Sequence, residues 1–205
     1  MATETVTPTT GDALILVDVQ NDFLPGGSLA VPRGDEVIAP LNRYIDAFRQ
    51  RGLTVVATRD WHTPDHCSFN EQGGIWPVHC VADTTGAAFA ADLQLPPMAL
   101  IVSKASSRER DAYSGFEGTD LATELRRRGI RRLFVGGLAT DYCVLNTVLD
   151  GLREHFTVYL LEDAIRAVNL NPADGRQAIA NMHQHGARPL TLATLSDQNP
   201  GHNSC

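Results

Sequence analysis

The strongest constraint on this chain is an alternation. Short, unbroken apolar runs take turns with stretches in which apolar side chains return every third or fourth position. The runs cover residues 13–19, 53–58, 99–103, 132–137, 156–161 and 189–192. Between the first two, Val37, Ile38, Leu41, Ile45 and Phe48 mark one face of a helix, which Gly52 stops. Helical spacing recurs over 121–128, 141–154 and 174–185. A strand that is apolar at every position is buried on both faces, and strands separated by helices pair in parallel. The expected fold is therefore α/β: a three-layer α/β/α arrangement with a six-stranded, mainly parallel sheet. No repeat or linker divides the 205 residues, so one domain spanning 1–205 is expected, with polar, frayed tails at 1–11 and 196–205.

Composition narrows the partners. Net charge is -7, which removes the basic face that nucleic acid or an anionic membrane surface requires. No apolar run approaches the ~18 residues of a membrane span. The N-terminus lacks the basic start and apolar segment of a secretory signal. Cys67, Cys80, Cys143 and Cys205 form no C-x-x-C pair. A cytoplasmic protein with reduced thiols is expected. A homo-oligomer stays open.

Ligands of parallel sheets bind beyond the carboxyl ends of the strands. Just past those ends stand Asp18, Asp60, His62, Lys104, the segment 139–143 and Asp163. Cys143 falls where a Gly-rich turn after the fourth strand enters a helix. There the helix dipole favours thiolate, and free backbone N–H groups can hold an oxyanion. A free cysteine can equally be a small apolar core residue. Asp18 sits in an apolar strand end and needs a partner. Lys104 closes the third strand and is the single lysine among 17 basic residues. Placed at neighbouring strand ends, they either close the sheet edge as an ion pair or serve chemistry. In the second case the carboxylate takes the thiol proton, the ammonium orients the carboxylate, and the thiolate attacks a carbonyl.

The irregular stretch 59–98 carries a third group. Asp60 and His62 are two apart on extended chain and point to one side; His66 and His79 follow. Two imidazoles and a carboxylate suit one divalent transition metal with open positions: Zn, Fe or Mn. A structural zinc on His66, Cys67, His79 and Cys80 lacks the usual ligand spacing.

Taken together, Asp18-Val19-Gln20-Asn21-Asp22-Phe23, Gly26-Gly27-Ser28-Leu29, Asp60-Trp61-His62, Trp76-Pro77-Val78-His79-Cys80, Tyr113-Ser114-Gly115-Phe116 and Ala139-Thr140-Asp141-Tyr142-Cys143 carry a resemblance. The chain resembles, over roughly residues 12–195, the nicotinamidase/pyrazinamidase branch of the isochorismatase-like cysteine hydrolases. The resemblance implies a triad of Asp18, Lys104 and Cys143. It implies metal ligands Asp60, His62 and His79, with His66 where some members supply a further ligand. It implies an oxyanion hole from the Ala139 and Cys143 amides, and a cis peptide between Leu138 and Ala139. Phe23, Leu29, Trp76, Tyr113 and Tyr142 resemble the positions lining a flat substrate slot. The implied reaction is hydrolysis of nicotinamide to nicotinate and ammonia through a cysteine thioester, with pyrazinamide as a second substrate, in pyridine nucleotide salvage. The alternatives are a ureidoacrylate- or carbamoylsarcosine-type amidase, which uses the triad without the metal, and a non-catalytic metal-binding protein. One departure stands out: family members often carry Gly after the lysine, where this chain has Ala105.

Overall fold

The computed structural model describes residues 5–196. Strands β1 (Asp12–Val17), β2 (Thr54–Asp60), β3 (Leu100–Lys104), β4 (Arg132–Leu138), β5 (Thr157–Arg166) and β6 (Arg188–Leu190) form one sheet in the order β3-β2-β1-β4-β5-β6. Every adjacent pair is parallel. Helices α1 (Ile38–Arg49), α2 (Leu121–Arg127), α3 (Leu145–Arg153) and α4 (Asp174–Gln184) connect the strands. Among the described residues no helix is long and apolar enough to cross a membrane.

The alternation along β1 shows why both faces are covered. Leu14 and Leu16 join the core under α1, with Leu41, Tyr44, Ile45 and Phe48. Ala13, Ile15 and Val17 point the other way, to a second core with Leu121, Leu125, Val148 and Met182 from α2, α3 and α4. Phe134 on β4 anchors the first core. It is fully buried, edge-on to Phe48 at 5.1 Å and stacked on Tyr159 at 4.8 Å. Truncation to Ala there costs about 3–5 kcal/mol.

Chain order reverses between β1 and β4, so the crevice beyond their carboxyl ends is where such sheets bind ligands. Close approach of the two strands needs Gly137: its φ is 127°, and a Cβ there would overlap the Val17 backbone.

Four expectations change. β1 and β3 are not neighbours, because β2 lies between them. β5 runs on to Arg166, so Asp163 sits inside a strand rather than past its end. Its carboxylate accepts from the Tyr44 hydroxyl and the Leu192 N–H, both at 2.8 Å, and serves packing. Residues 5–11, expected to fray, are held where Val6 pairs with Leu195; residues 1–4 and 197–205 of the expected tails, with Cys205, lie outside the described residues. The segment before α3 is a π-turn, Thr140–Val144, which tightens the entry into that helix.

Candidate active site

β1 ends at Val17, and Asp18 turns the chain in a left-handed conformation (φ 49°). Its carboxylate is fully buried, and the Thr58 hydroxyl donates to Oδ1 at 2.7 Å. Lys104 closes β3 on the far side of β2. Its ammonium therefore crosses the end of β2 and meets two carboxylates, Asp18 Oδ2 at 2.9 Å and Asp60 Oδ1 at 2.5 Å. It also donates to the Ala112 carbonyl at 3.2 Å and lies 3.5 Å from Cys143 Sγ. Two buried anions thus share one buried cation. Burial pulls the ammonium down, but the Asp18 and Asp60 charges outweigh burial and hold it well above its usual range. Burial raises the Asp18 carboxyl, and Lys104 offsets only part of that. The ion pair leaves Asp18 Oδ2 without an aligned hydrogen bond. Asp18, Asp60 and Cys143 bring ligand-type atoms within 4.8 Å of one another.

Cys143 lies in the π-turn, fixed where the Tyr142 and Val144 N–H groups both donate to the Ala139 carbonyl at 3.1 Å. The Leu138–Ala139 bond is cis. The helix-start thiolate anticipated from the sequence is not what this site holds. Burial pushes the Cys143 thiol well above its ordinary value, against the pull of Lys104. The resting group is a neutral thiol beside a carboxylate that can take its proton.

Beyond the end of β2 the chain delivers a second cluster. His62 Nε2 stands 3.7 Å from Asp60 Oδ2, and His79 Nε2 4.0 Å from it. Those separations are too long for hydrogen bonds. Each imidazole is oriented from behind: His62 Nδ1 meets the Ala105 carbonyl at 3.2 Å, and His79 Nδ1 the Pro77 carbonyl at 2.8 Å. Facing a carbonyl, Nδ1 carries the proton and Nε2 keeps its lone pair. His62 Nε2 is buried and has no hydrogen-bond partner among the described residues. Burial also holds the His79 imidazole below its usual range, hence neutral. Burial favours a neutral Asp60 carboxyl, yet Lys104 keeps it ionised. One carboxylate and two inward lone pairs, their ligand atoms within 4.8 Å of one another, are a donor set that suits one divalent cation.

His66 does not join that set. Its Nδ1 is engaged by Ser68, at 2.8 Å from the hydroxyl and 3.3 Å from the N–H, and its Nε2 lies 3.1 Å from the Arg110 carbonyl. Both nitrogens are committed, and the ring packs 4.2 Å from that of His62. His66 braces the cluster.

Cys143 and the Asp60, His62 and His79 donors open on one cleft. Phe23, Leu29, Trp76, Tyr113 and Tyr142 all line it, together with Ala139 and Cys143. Trp76 Nε1 donates to the Tyr113 hydroxyl at 3.0 Å and fixes one wall. Some contributors escaped the sequence reading. The buried Gln20 side chain accepts from the Asp60 N–H and donates to the Asp60 carbonyl, both at 2.8 Å, clamping the Asp60 backbone. The Asp22 carboxylate accepts from the Cys80 N–H at 2.7 Å and ties down the loop behind His79. Asp141 accepts from the Val168 and Asn169 N–H groups at 2.9 and 2.8 Å and draws Val168 to the cleft. Asp111 also lines the cleft. Nothing in the local sequence marks these contacts, which join positions far apart in the chain.

Ala105 adopts a left-handed φ of 50°. Its carbonyl is the one that orients His62. The position favours glycine for backbone reasons, and an alanine tolerates it at a cost of about 1–2 kcal/mol.

Comparison with known proteins adds the following. The profile of the Isochorismatase domain matches residues 12–194. The nicotinamidase of Escherichia coli (strain K12) is 40% identical over 206 residues, covering 90% of this chain and 95% of that protein. The crystal structure of pyrazinamidase of Pyrococcus horikoshii in complex with zinc superimposes with a TM-score of 0.86 at 48% identity, covering 89% of this chain and 99% of that one. That of PnC1 from L. infantum in complex with nicotinate gives 0.87 at 37%, covering 94% and 98%.

Proposed function

The chain belongs to the isochorismatase family, and on that premise we infer that it is a metal-dependent amidase hydrolysing nicotinamide to nicotinate and ammonia through a thioester on Cys143. The observation that carries this reading is the shared cleft: the Cys143 thiol and the Asp60, His62 and His79 donor set open on the same apolar slot. A thiol amidase without a ring to orient has no use for the second cluster. The similarity to a nicotinamidase, to a pyrazinamidase in complex with zinc and to a protein in complex with nicotinate supports the same reading. Pyrazinamide offers the same carboxamide and a ring nitrogen, and we read it as a second substrate.

The proposed chemistry begins with a neutral thiol. Asp18 Oδ2, free of any aligned hydrogen bond, takes the Cys143 proton as Sγ attacks the carboxamide carbon. Lys104 keeps Asp18 oriented and balances the negative charge that gathers as the thiol ionises. The Ala139 and Cys143 amides hold the tetrahedral oxyanion. Asp18 then hands its proton to the departing nitrogen; the C–N bond breaks and ammonia leaves. A water that gives a proton to Asp18 attacks the thioester, the C–S bond breaks, Asp18 returns that proton to Sγ to regenerate the thiol, and the acid leaves as nicotinate after losing its proton to solvent. Asp60, His62 and His79 would hold one divalent transition metal, zinc being the first candidate, which when bound offers an open position to the pyridine nitrogen and so orients the ring. Phe23, Leu29, Trp76, Tyr113 and Tyr142 flank the ring and exclude bulk water. We place the enzyme in the cytoplasm, where the Cys143 thiol stays reduced.

The test is ammonia release from nicotinamide by the purified chain, before and after chelation, with benzamide as the comparison substrate. Benzamide has the carboxamide without the ring nitrogen and should turn over far more slowly. Equal rates on both, or full activity after metal removal, would return the chain to the general amidase reading.

A further inference from the structure

The slot contains a carboxylate that the chemistry above leaves unused. Asp111 lines the cleft. Its hydrogen bond comes from the adjacent Ala112 N–H, at 2.9 Å to Oδ1. Among the described residues no Lys, Arg or His nitrogen comes within 4.0 Å of its carboxylate. Asp60, the other carboxylate of the lining, is by contrast ion-paired with Lys104 at 2.5 Å. The backbone on both sides of Asp111 is anchored to the site. His66 Nε2 holds the Arg110 carbonyl at 3.1 Å, and Lys104 Nζ the Ala112 carbonyl at 3.2 Å. An unpaired negative charge is thus fixed in the wall of a substrate slot. The wall feels it: burial is the larger cause of the raised Tyr113 phenol, and the Asp111 charge adds to it.

The reaction changes the ligand's charge. The amide enters neutral, and the acid leaves as an anion at neutral pH. A cation held by Asp60, His62 and His79 in the wall of the slot would attract that anion and slow its departure. We propose that Asp111 is the charge-selecting residue of the slot, its unpaired carboxylate repelling the aromatic carboxylate product relative to the neutral amide and hastening product release. This rests on the nicotinamide hydrolase reading.

The experiment compares metal-loaded wild type, Asp111→Asn and Asp111→Glu. The quantity read is the inhibition constant of nicotinate divided by the KM of nicotinamide. Asp111→Asn removes the charge at nearly constant shape and should lower the ratio roughly 3- to 10-fold, the scale of one partly screened charge. Asp111→Glu keeps the charge and should stay within about 2-fold of wild type. The gap between wild type and Asp111→Asn should narrow in roughly 0.5 M salt. An unchanged ratio in Asp111→Asn overturns the assignment. So does a raised nicotinamide KM with unaltered nicotinate inhibition, which would make Asp111 an acceptor for the amide. A gap indifferent to salt overturns it as well, since shape would then be the cause. Failure of the underlying reading looks different: wild type itself would release no ammonia from nicotinamide.

Discussion

The two halves of the cleft are built in different ways. Asp18 and Lys104 stand at strand ends, and Cys143 on the turn that leaves β4, so sheet register fixes where they are. Their charged groups are paired within the protein, with Lys104 between two carboxylates. His62 and His79 arrive on loop and are aimed by single bonds from ring nitrogens to backbone carbonyls. Their Nε2 atoms are not paired within the protein: lone pairs face a carboxylate across gaps of 3.7 and 4.0 Å. A sheet edge can assemble a complete reactive group from protein alone. A loop cluster of this kind is complete only with a cation, and its geometry should respond to one.

The most severe break is on the sheet side. Cys143→Ala should lower nicotinamide turnover by about 10⁴-fold or more while metal content by elemental analysis stays at the wild-type level. Substantial activity in that variant would sink the thioester mechanism. Next, Asp18→Asn keeps shape but cannot accept a proton, and should cost at least ~100-fold in kcat. Lys104→Arg places a planar fork where a compact ammonium bridges Asp18 and Asp60, and should fail comparably; near-normal kinetics would reduce Lys104 to an ordinary ion-pair partner.

On the loop side, His79→Ala should weaken metal binding 10-fold or more in a competition assay with a chromogenic chelator. Added Zn, Fe or Mn should restore chelated wild type but not this variant at matched concentrations. His66→Gln sharpens the contrast. Both His66 nitrogens are committed to Ser68 and Arg110, so metal affinity should change by less than about 10-fold, the lower end of what supporting contacts carry. The effect should appear instead in the KM for nicotinamide, because the wall at residues 110–112 loses a brace. A metal loss as large as that of His79→Ala would make His66 a ligand after all. The smallest effect is expected at Ala105→Gly. Relief of the left-handed strain should raise stability by up to about 1 kcal/mol, a few degrees in Tm, while the carbonyl that orients His62 stays in place.

Much of this was legible in the chain. Continuous apolar runs announced buried parallel strands, and residues past their ends announced the reactive edge. The predicted elements all formed, since period and punctuation are local properties. The cation-type cluster was readable because Asp60 and His62 share one side of an extended segment. The thiol's protonation state was not. Helix position argued for thiolate, but burial, a property of the whole fold, decided for the neutral form. His66 was ambiguous for a similar reason: its residue type suits a metal, and only its partners reveal that its lone pair is already used.

The sequence by itself determined the layers, the strands and which residue types gather at one edge, because hydrophobic period and turn chemistry act over a few residues. Strand order lay beyond it. Setting β2 between β1 and β3 is a tertiary choice, and it makes Lys104 pair with Asp60 at the adjacent strand end and reach past it to Asp18. The same choice links the two clusters through one carboxylate, with Asp60 giving one oxygen to the ammonium and turning the other toward the imidazoles. Contacts between residues more than forty positions apart, such as Lys104 with Asp60, have no local signature, and only packing of the whole sheet brings them to hydrogen-bond distance.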